Sequence, residues 1–166
     1  MPASTLGAGG DRVLYLDCFS GLAGDMIVAA LLDLGVALDV VESAVARLPL
    51  DGYRLRVERV ERQTVAASRF LVEVDEARQP HRRHRDIREM IAAAGLPGRT
   101  AELAAEIFAA LARAEARVHG ADVDDVHFHE VGAVDSIVDI VGIAAALDHL
   151  DAHLFAAPVP LGRGFV

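Results

Sequence analysis

The sequence has very few of the cysteine and aromatic residues on which several kinds of binding site depend. It contains one cysteine and no tryptophan in 166 residues, and aromatic residues make up 5% of the chain. A single cysteine allows neither an internal disulfide nor a cysteine-rich zinc site, so the cytoplasm is the expected compartment. The shortage of aromatic side chains argues against surfaces that stack bases or sugars.

The sequence also shows no signal peptide, no apolar run of membrane-spanning length and no excess of positive charge. Its formal net charge of −9 argues against nucleic acid or an anionic membrane as the main partner, and it is compatible with binding cations. Apolar residues make up 53% of the chain and charged residues 25%, which is typical of a globular protein.

The hydrophobic patterns predict an α+β or α/β domain with a mixed sheet, which includes a β-hairpin and is packed by about five helices. Residues 1–11 are expected to be a flexible leader and residues 12–166 a single domain, the N-terminal fragment of a longer protein. Strands are expected over 13–17, 53–60, 65–74 and 154–160, the middle two forming the hairpin. Helices are expected over 26–34, 39–48, 86–94, 101–118 and 134–150. Their expected N-terminal caps include Asp25, Asp39, Thr100 and either Asp135 or Ser136.

A small-residue loop joins the first predicted strand to the first predicted helix. Such a junction offers free backbone N–H groups and the positive end of a helix dipole to an anion. A carboxylate at the end of the strand could hold a divalent cation against a bound phosphate. The alternative is an ordinary turn and helix cap, since the loop lacks the lysine of a P-loop. The predicted substrate- or phosphate-binding residues are Asp17, Ser20, Gly21, Gly24 and Asp25.

The run His127-Phe128-His129-Glu130 is the strongest candidate for a metal site. Residues two apart in an extended segment point the same way, so His127 and His129 could both reach one metal ion. Imidazole suits nickel, copper and zinc but not magnesium. His119, eight residues upstream of His127, could contact a metal-binding residue and hold it in position without binding the metal itself. The alternative is an exposed, solvated loop.

Two further groups are weaker candidates. His81 and His84 could share a metal, or the arginines between them could clamp a phosphate or a carboxylate, or the segment could be a solvated loop. Asp135 and Asp139 lie one helical turn apart and could bind a cation or orient a metal-binding histidine. Alternatively, Asp135 belongs to a helix cap, although the apolar residues after Asp139 suggest that its carboxyl group is partly buried and needs a partner.

Four stretches of the chain together resemble the LarC family, whose members insert nickel into the nickel-pincer nucleotide cofactor. These are LYLDCFSGLAGDM at 14–26, LARAEARVHG at 111–120, VHFHEVGAVDSIVDIVG at 126–142 and PVPLGRG at 158–164. The resemblance extends over nearly the whole chain after the leader. It differs from the family pattern at one place, because the family usually has a richer histidine cluster in the loop that here carries arginines between His81 and His84.

The resemblance implies a CTP-dependent nickel insertase, a lyase of the metal-chelatase type. Its substrate is pyridinium-3,5-bisthiocarboxylic acid mononucleotide, and its product is the cofactor of lactate racemase and related enzymes. Ni²⁺ is inserted, and Mn²⁺ or Mg²⁺ is used with CTP, mainly in a C-terminal part that this chain lacks. The chain is then the N-terminal metal- and substrate-binding half, which assembles with the C-terminal part and is expected to form homo-oligomers. The residues alone leave two alternatives open: a non-catalytic nickel metallochaperone or assembly scaffold, and a metal-dependent phosphohydrolase.

Overall fold

The structure is a computed structural model that describes residues 12–19, 21–75, 82–128 and 132–160. These ranges contain four strands and five helices, and a 3-10 turn at Val123–Asp125 precedes the last helix. In chain order the elements are β1 (Val13–Leu16), α1 (Gly24–Asp33), α2 (Leu38–Val45), β2 (Tyr53–Arg62), β3 (Val65–Val74), α3 (His84–Ala93), α4 (Gly98–His119), α5 (Val134–Leu150) and β4 (His153–Ala156).

The strands form one parallel pair and one antiparallel pair. Strand β1 lies parallel to β4, with Val13 opposite His153 and Leu16 opposite Ala156. Strands β2 and β3 form a hairpin, in which Tyr53 lies opposite Val74. The predicted α+β class, with parallel and antiparallel pairing, a hairpin and five helices, is confirmed. Within the described ranges the strands are divided between two two-stranded sheets.

The hairpin turns tightly at Gln63 and Thr64, which both have positive φ angles, 48° and 66°. Positive φ at both central residues gives the turn the twist that a two-residue hairpin requires. Strand β2 therefore continues through Arg62, two residues beyond its predicted end, because the turn needs only two residues.

Helix α5 is the centre of the core, as its apolar sequence predicted. Eleven of its 17 residues are buried, and α1, α2 and α4 pack around it. At Gly142 the approach of α2 is so close that an added Cβ would lie 2.9 Å from Cγ1 of Val41. None of the helices in the described ranges combines the length and the apolar composition needed to cross a membrane.

The predicted helix caps are wrong. Helix α1 begins two residues and α2 one residue earlier than expected, whereas α5 begins at Val134 as expected. Asp25, Asp39 and Asp135 lie in the first turns of these helices, where a negative charge is favourable. Their N-cap residues are Ala23, Ala37 and Ala133, and none of these makes a side-chain cap bond.

Thr100 is also not a cap. Helix α4 begins after Pro97, and Thr100 lies in its first turn with 1% of its surface exposed. Its hydroxyl donates a hydrogen bond of 2.7 Å to Oδ2 of Asp148 on α5. The polar side chain that looked like a local helix signal therefore makes a long-range contact that ties α4 to α5.

Candidate functional site

The loop between β1 and α1 is built around a turn at Gly21. Gly21 has a φ of 89°, a left-handed conformation that glycine adopts easily, and its N–H donates a 3.0 Å hydrogen bond to the carbonyl of Cys18. Asp17 lies exposed at the carboxyl end of β1, as predicted. Ser20 lies outside the described residues.

The start of α1 is occupied by a side chain of α5. An added Cβ at Gly24 would lie 2.6 Å from Oδ2 and 2.8 Å from Cβ of Asp139, so only glycine allows this approach. The backbone N–H of Asp25 donates a hydrogen bond to the Asp139 carboxyl group. The free N–H groups predicted to meet a phosphate therefore already face a carboxyl group of the protein itself.

The Asp139 carboxyl group also lies within electrostatic range of the carboxyl groups of Asp25 and Asp135. Burial, with the two neighbouring negative charges, raises the pKa of Asp139 to about 7. Its Oδ1 atom is buried and has no hydrogen-bond partner among the described residues. A buried carboxyl group with an unpaired oxygen is stabilised by a proton or by a bound cation.

This arrangement changes the chemistry that the loop can perform. A phosphate placed directly at the start of α1 would face the carboxyl groups of Asp25, Asp135 and Asp139, and like charges would repel it. A divalent cation held by carboxylate oxygens removes this conflict, since it can bridge carboxylates and a phosphate. A cation-mediated role for this loop therefore stays a prediction.

The second candidate region is formed by two chain segments, residues 82–84 and 126–128, which lie side by side and antiparallel. Arg83 and His127 form a β-bridge, and the N–H of His84 donates a 3.0 Å hydrogen bond to the carbonyl of Val126. The predicted histidine-rich loop and the predicted His-x-His segment, 44 positions apart at this bridge, are therefore direct neighbours.

His84 and His127 point to different sides of this pair of segments. His84 is turned inward, with 4% of its surface exposed, and its ring meets the edge of Phe128 at a centroid distance of 6.1 Å. Its Nδ1 atom has no hydrogen-bond partner in the part of the chain that the structure describes, and it lies 3.7 Å from Oδ1 of Asp124. His127 is exposed, and its Nε2 accepts a 3.1 Å hydrogen bond from Nε of Arg83. The two rings thus do not converge on one ion in this arrangement.

The same segments hold the approach to α5. Arg82 is buried and donates a 3.3 Å hydrogen bond to the carbonyl of Gly132. An added Cβ at Gly132 would lie 3.0 Å from Phe128 and 3.1 Å from the carbonyl oxygen of Arg82. Gly132 precedes α5 by two residues, and so the histidine segments are packed next to the helix that carries Asp135 and Asp139.

Several predicted site residues lie elsewhere or outside the description. His81, His129 and Glu130 are outside the described residues. His119 ends α4 and lies 3.1 Å from Oε2 of Glu115, one helical turn back. In the ranges that the structure describes, no group of three or more His, Cys, Asp or Glu side chains is arranged to hold a metal ion.

Sequence reasoning missed the role of Arg83 and of Asp139's partner, Gly24. The sequence predicts Arg83 to be a clamp for a phosphate or a carboxylate, or part of a solvated loop, whereas its side chain donates a hydrogen bond to the imidazole of His127. Gly24 was assigned to phosphate binding, whereas it makes room for Asp139. Neither contact can be recognised from the neighbouring residues in the sequence, since the partners lie 44 and 115 positions apart in the chain.

The sequence profile of the nickel insertion protein family matches residues 14–166. The chain belongs to this family. Among curated relatives, a protein of Geobacter metallireducens is 59% identical over 158 residues, and one of Citrifermentans bemidjiense is 55% identical over 156. A protein of Roseiflexus castenholzii is 51% identical over 156 residues. Each carries a name that proposes nickel insertion.

The nickel insertion proteins that it matches are much longer than this chain. Each of the three matches covers 93% of the chain but only 39–40% of the relative. The chain corresponds to the N-terminal part of these proteins. No solved structure matches it.

Proposed function

We propose that the chain is the N-terminal metal- and substrate-binding part of a nickel insertase for pyridinium-3,5-bisthiocarboxylic acid mononucleotide. The product would be the nickel-pincer cofactor of lactate racemase-type enzymes. Membership of the nickel insertion family supports the metal and the type of reaction. The resemblance of residues 126–142 to the LarC family supports the choice of substrate.

The observation that carries the proposal is the antiparallel contact between residues 82–84 and 126–128. His81 is covalently joined to the first of these segments and His129 to the second. The contact thus brings the two histidine-bearing parts of the chain together from distant positions in sequence. We assign nickel binding to a set drawn from both segments: His81, His84, His127, His129 and Glu130.

The donor set fits a metal that is delivered rather than kept. Imidazole and carboxylate groups bind nickel without the thiolates that would hold a soft or borderline ion most tightly. His84 also offers an Nδ1 atom that makes no hydrogen bond to another described residue and lies 3.7 Å from Oδ1 of Asp124. Arg83 donates a hydrogen bond to Nε2 of His127 and must be displaced before nickel binds to that atom. This competition would weaken nickel binding and make release of the nickel easier.

The carboxyl groups of Asp25, Asp135 and Asp139 would take the second role. They are hard oxygen donors, which suit Mn²⁺ or Mg²⁺ better than imidazole does. Such an ion, held by one or two of these carboxyl groups and by the phosphate of the mononucleotide itself, would link the protein to its substrate near Asp17 and the turn at Gly21. CTP would act with the C-terminal part that the relatives carry.

Nickel titration by calorimetry tests the metal assignment. The double variant His127→Ala/His129→Ala should lose at least tenfold in nickel affinity. A matched control removes two histidines outside the proposed site, His149→Ala/His153→Ala, and should bind nickel like the wild type. Equal affinities in all three proteins would refute the assignment.

The carboxylate role is tested with Mn²⁺, the mononucleotide and the variants Asp25→Asn and Asp17→Asn. Both variants should weaken binding of the mononucleotide when Mn²⁺ is present, because they remove oxygen ligands or the charge that orients the ion. Asp39→Asn, in the first turn of α2, is the control. If the affinity for the mononucleotide is the same with and without Mn²⁺, and the same in both site variants as in the wild type, the carboxyl groups do not have this role.

A non-catalytic metallochaperone or assembly scaffold is the main alternative, favoured by the exposed apolar side chains of β1, α1 and β4. Nickel-loaded chain, the C-terminal part, CTP and the mononucleotide can be mixed and the pincer cofactor measured. If variants of the nickel site change only delivery of nickel and not turnover at saturating nickel, the chain is a chaperone. Light scattering on the same samples tests the expected homo-oligomer.

A metal-dependent phosphohydrolase is supported by the carboxyl groups gathered beside the Gly21 turn. Release of inorganic phosphate from simple phosphoesters by the chain with Mn²⁺, abolished in Asp25→Asn, would favour this reaction over nickel insertion.

A further inference from the structure

The exposed apolar side chains of the protein are concentrated in one region. Twelve large apolar side chains are exposed in the described ranges, and nine of them belong to β1, the loop after it, α1, β4 and the residues just beyond β4. The nine are Val13, Tyr15, Phe19, Leu22, Met26, Leu34, Leu154, Phe155 and Val159. Exposed apolar residues scattered singly need no explanation, but a group confined to adjacent elements indicates an interaction surface.

Among the described residues, the sheet in this region has only two strands. Parallel sheets are normally covered on both faces, yet β1 and β4 form a two-stranded parallel pair in which Tyr15 and Phe155, paired across the strands, are both more than half exposed. The carbonyls of Arg12 and Leu16 accept hydrogen bonds from the β4 side. In a parallel strand alternate residues face opposite edges, so the backbone groups of Val13 and Tyr15 face the edge away from β4.

A groove runs along this edge of β1. It has a volume of about 540 Å³ and lies between β1 and α1, with Tyr15, Met26, Ala30 and Leu34 among its apolar lining residues. The strand is four residues long, so an extended segment of about four or five residues would match it at roughly 3.3 Å per residue. The groove thus offers backbone pairing on one wall and an apolar helix face on the other.

We propose that this groove receives an apolar strand from the C-terminal part of the full-length protein, which pairs with β1 and covers α1. About 60% of the length of the relatives lies outside the matched region, and the chain corresponds to their N-terminal part. Strand β4, the last element described, lies in the same sheet. Two copies of this chain would bring net charges of −9 together, and this repulsion makes a second copy the poorer occupant.

The surface is separate from the proposed nickel ligands that the structure describes, His84 and His127, neither of which lines the groove. An experiment could therefore disprove strand docking without affecting the nickel assignment, and an experiment could disprove the nickel assignment without affecting strand docking. A docked strand would place the C-terminal part beside Asp17 and the Gly21 turn, which also line the groove. The interface would therefore lie next to the proposed substrate-binding loop.

The test compares the 166-residue chain with a full-length fusion, in which this chain replaces the matched region of the Geobacter metallireducens relative. Met26→Cys places a thiol in the groove, and Val118→Cys, on α4, is the control; the side chains are 50% and 79% exposed. Cys18 is buried, so it contributes little labelling. Met26→Cys should react with a thiol reagent at least tenfold more slowly in the fusion than in the chain, whereas Val118→Cys should react equally in both.

Hydrogen exchange supplies a second measurement that needs no substitution. The amides of Val13 and Tyr15 should exchange at least tenfold more slowly in the fusion, and those of the hairpin turn at Gln63 and Thr64 should not change. Equal labelling of Met26→Cys in both proteins, with unchanged exchange in β1, would overturn the proposal. Protection that is already present in the 166-residue chain and grows with its concentration would identify a second copy as the occupant, and would overturn it as well.

Discussion

Replacing Asp139 by asparagine isolates the effect of its charge at the start of α1. Asparagine keeps nearly the same shape and an acceptor for the N–H of Asp25, but it cannot ionise. In the wild type, burial and the negative charges of Asp25 and Asp135 raise the pKa of Asp139 from 3.8 to about 7. The folded state therefore holds the proton more tightly than the unfolded chain.

The sign of the pH effect follows from this difference. The favourable contribution of the protonated Asp139 is fully present below the unfolded pKa of about 4, and it is lost as the pH rises towards about 7. The full difference in pKa corresponds to roughly 4 kcal/mol. Because the carboxyl group is partly exposed, solvent screening reduces the expected effect to about 1–2 kcal/mol.

Urea unfolding between about pH 4 and pH 8, with a chelator present, measures the prediction. Asp139→Asn should match the wild type near pH 4 and exceed its free energy of unfolding by about 1–2 kcal/mol above pH 7. Subtracting the two curves cancels the other titrating groups. A variant that is less stable than the wild type at high pH, or a difference that does not depend on pH, would refute the account of the carboxyl cluster. Added Mn²⁺ should reduce the difference, since it stabilises only the charged cluster.

Three further substitutions test the packing and the histidine segments. In the same urea experiment, Gly142→Ala should lower the free energy of unfolding by about 1–3 kcal/mol, because its Cβ would press on Val41. The control Gly98→Ala should be neutral or slightly stabilising, because no described atom lies near the added carbon. Arg83→Gln should tighten nickel binding about three- to tenfold in calorimetry, since it removes a cation bonded to His127; weaker binding would show that Arg83 supports the site. Gly132→Ala should push Phe128 and Arg82 apart and weaken nickel binding more than it lowers the melting temperature; unchanged affinity would separate this contact from the metal site.

The elements with strong local patterns were predictable from sequence. The alternation of apolar residues identified both strands of the hairpin, and the apolar run after Asp139 identified α5 as the central helix. The N-caps of α1, α2 and α5 were not predictable, because alanines occupy these positions and the nearby acidic residues lie inside the first turns. Thr100 shows the same limit, since its hydroxyl has a partner on another helix.

The site depends on contacts that no local pattern contains. Sequence spacing placed Asp135 and Asp139 on one face of a helix, but it gave no sign that Gly24 would receive the second carboxyl group. It identified two histidine-bearing segments separately, and the bridge between Arg83 and His127 is what joins them.

The start of α5 connects the two candidate regions physically. Gly132 is held by the histidine segments through Arg82 and Phe128, and two residues later α5 begins, one turn and a half before Asp139 reaches α1. A shift of the histidine segments on binding nickel would therefore act on the helix that carries the carboxyl groups. Interiors pack too tightly to absorb such a shift locally. Nickel binding at the histidine segments should consequently change the affinity of the carboxyl groups for a divalent cation. By linkage, that cation must change the affinity for nickel by the same factor.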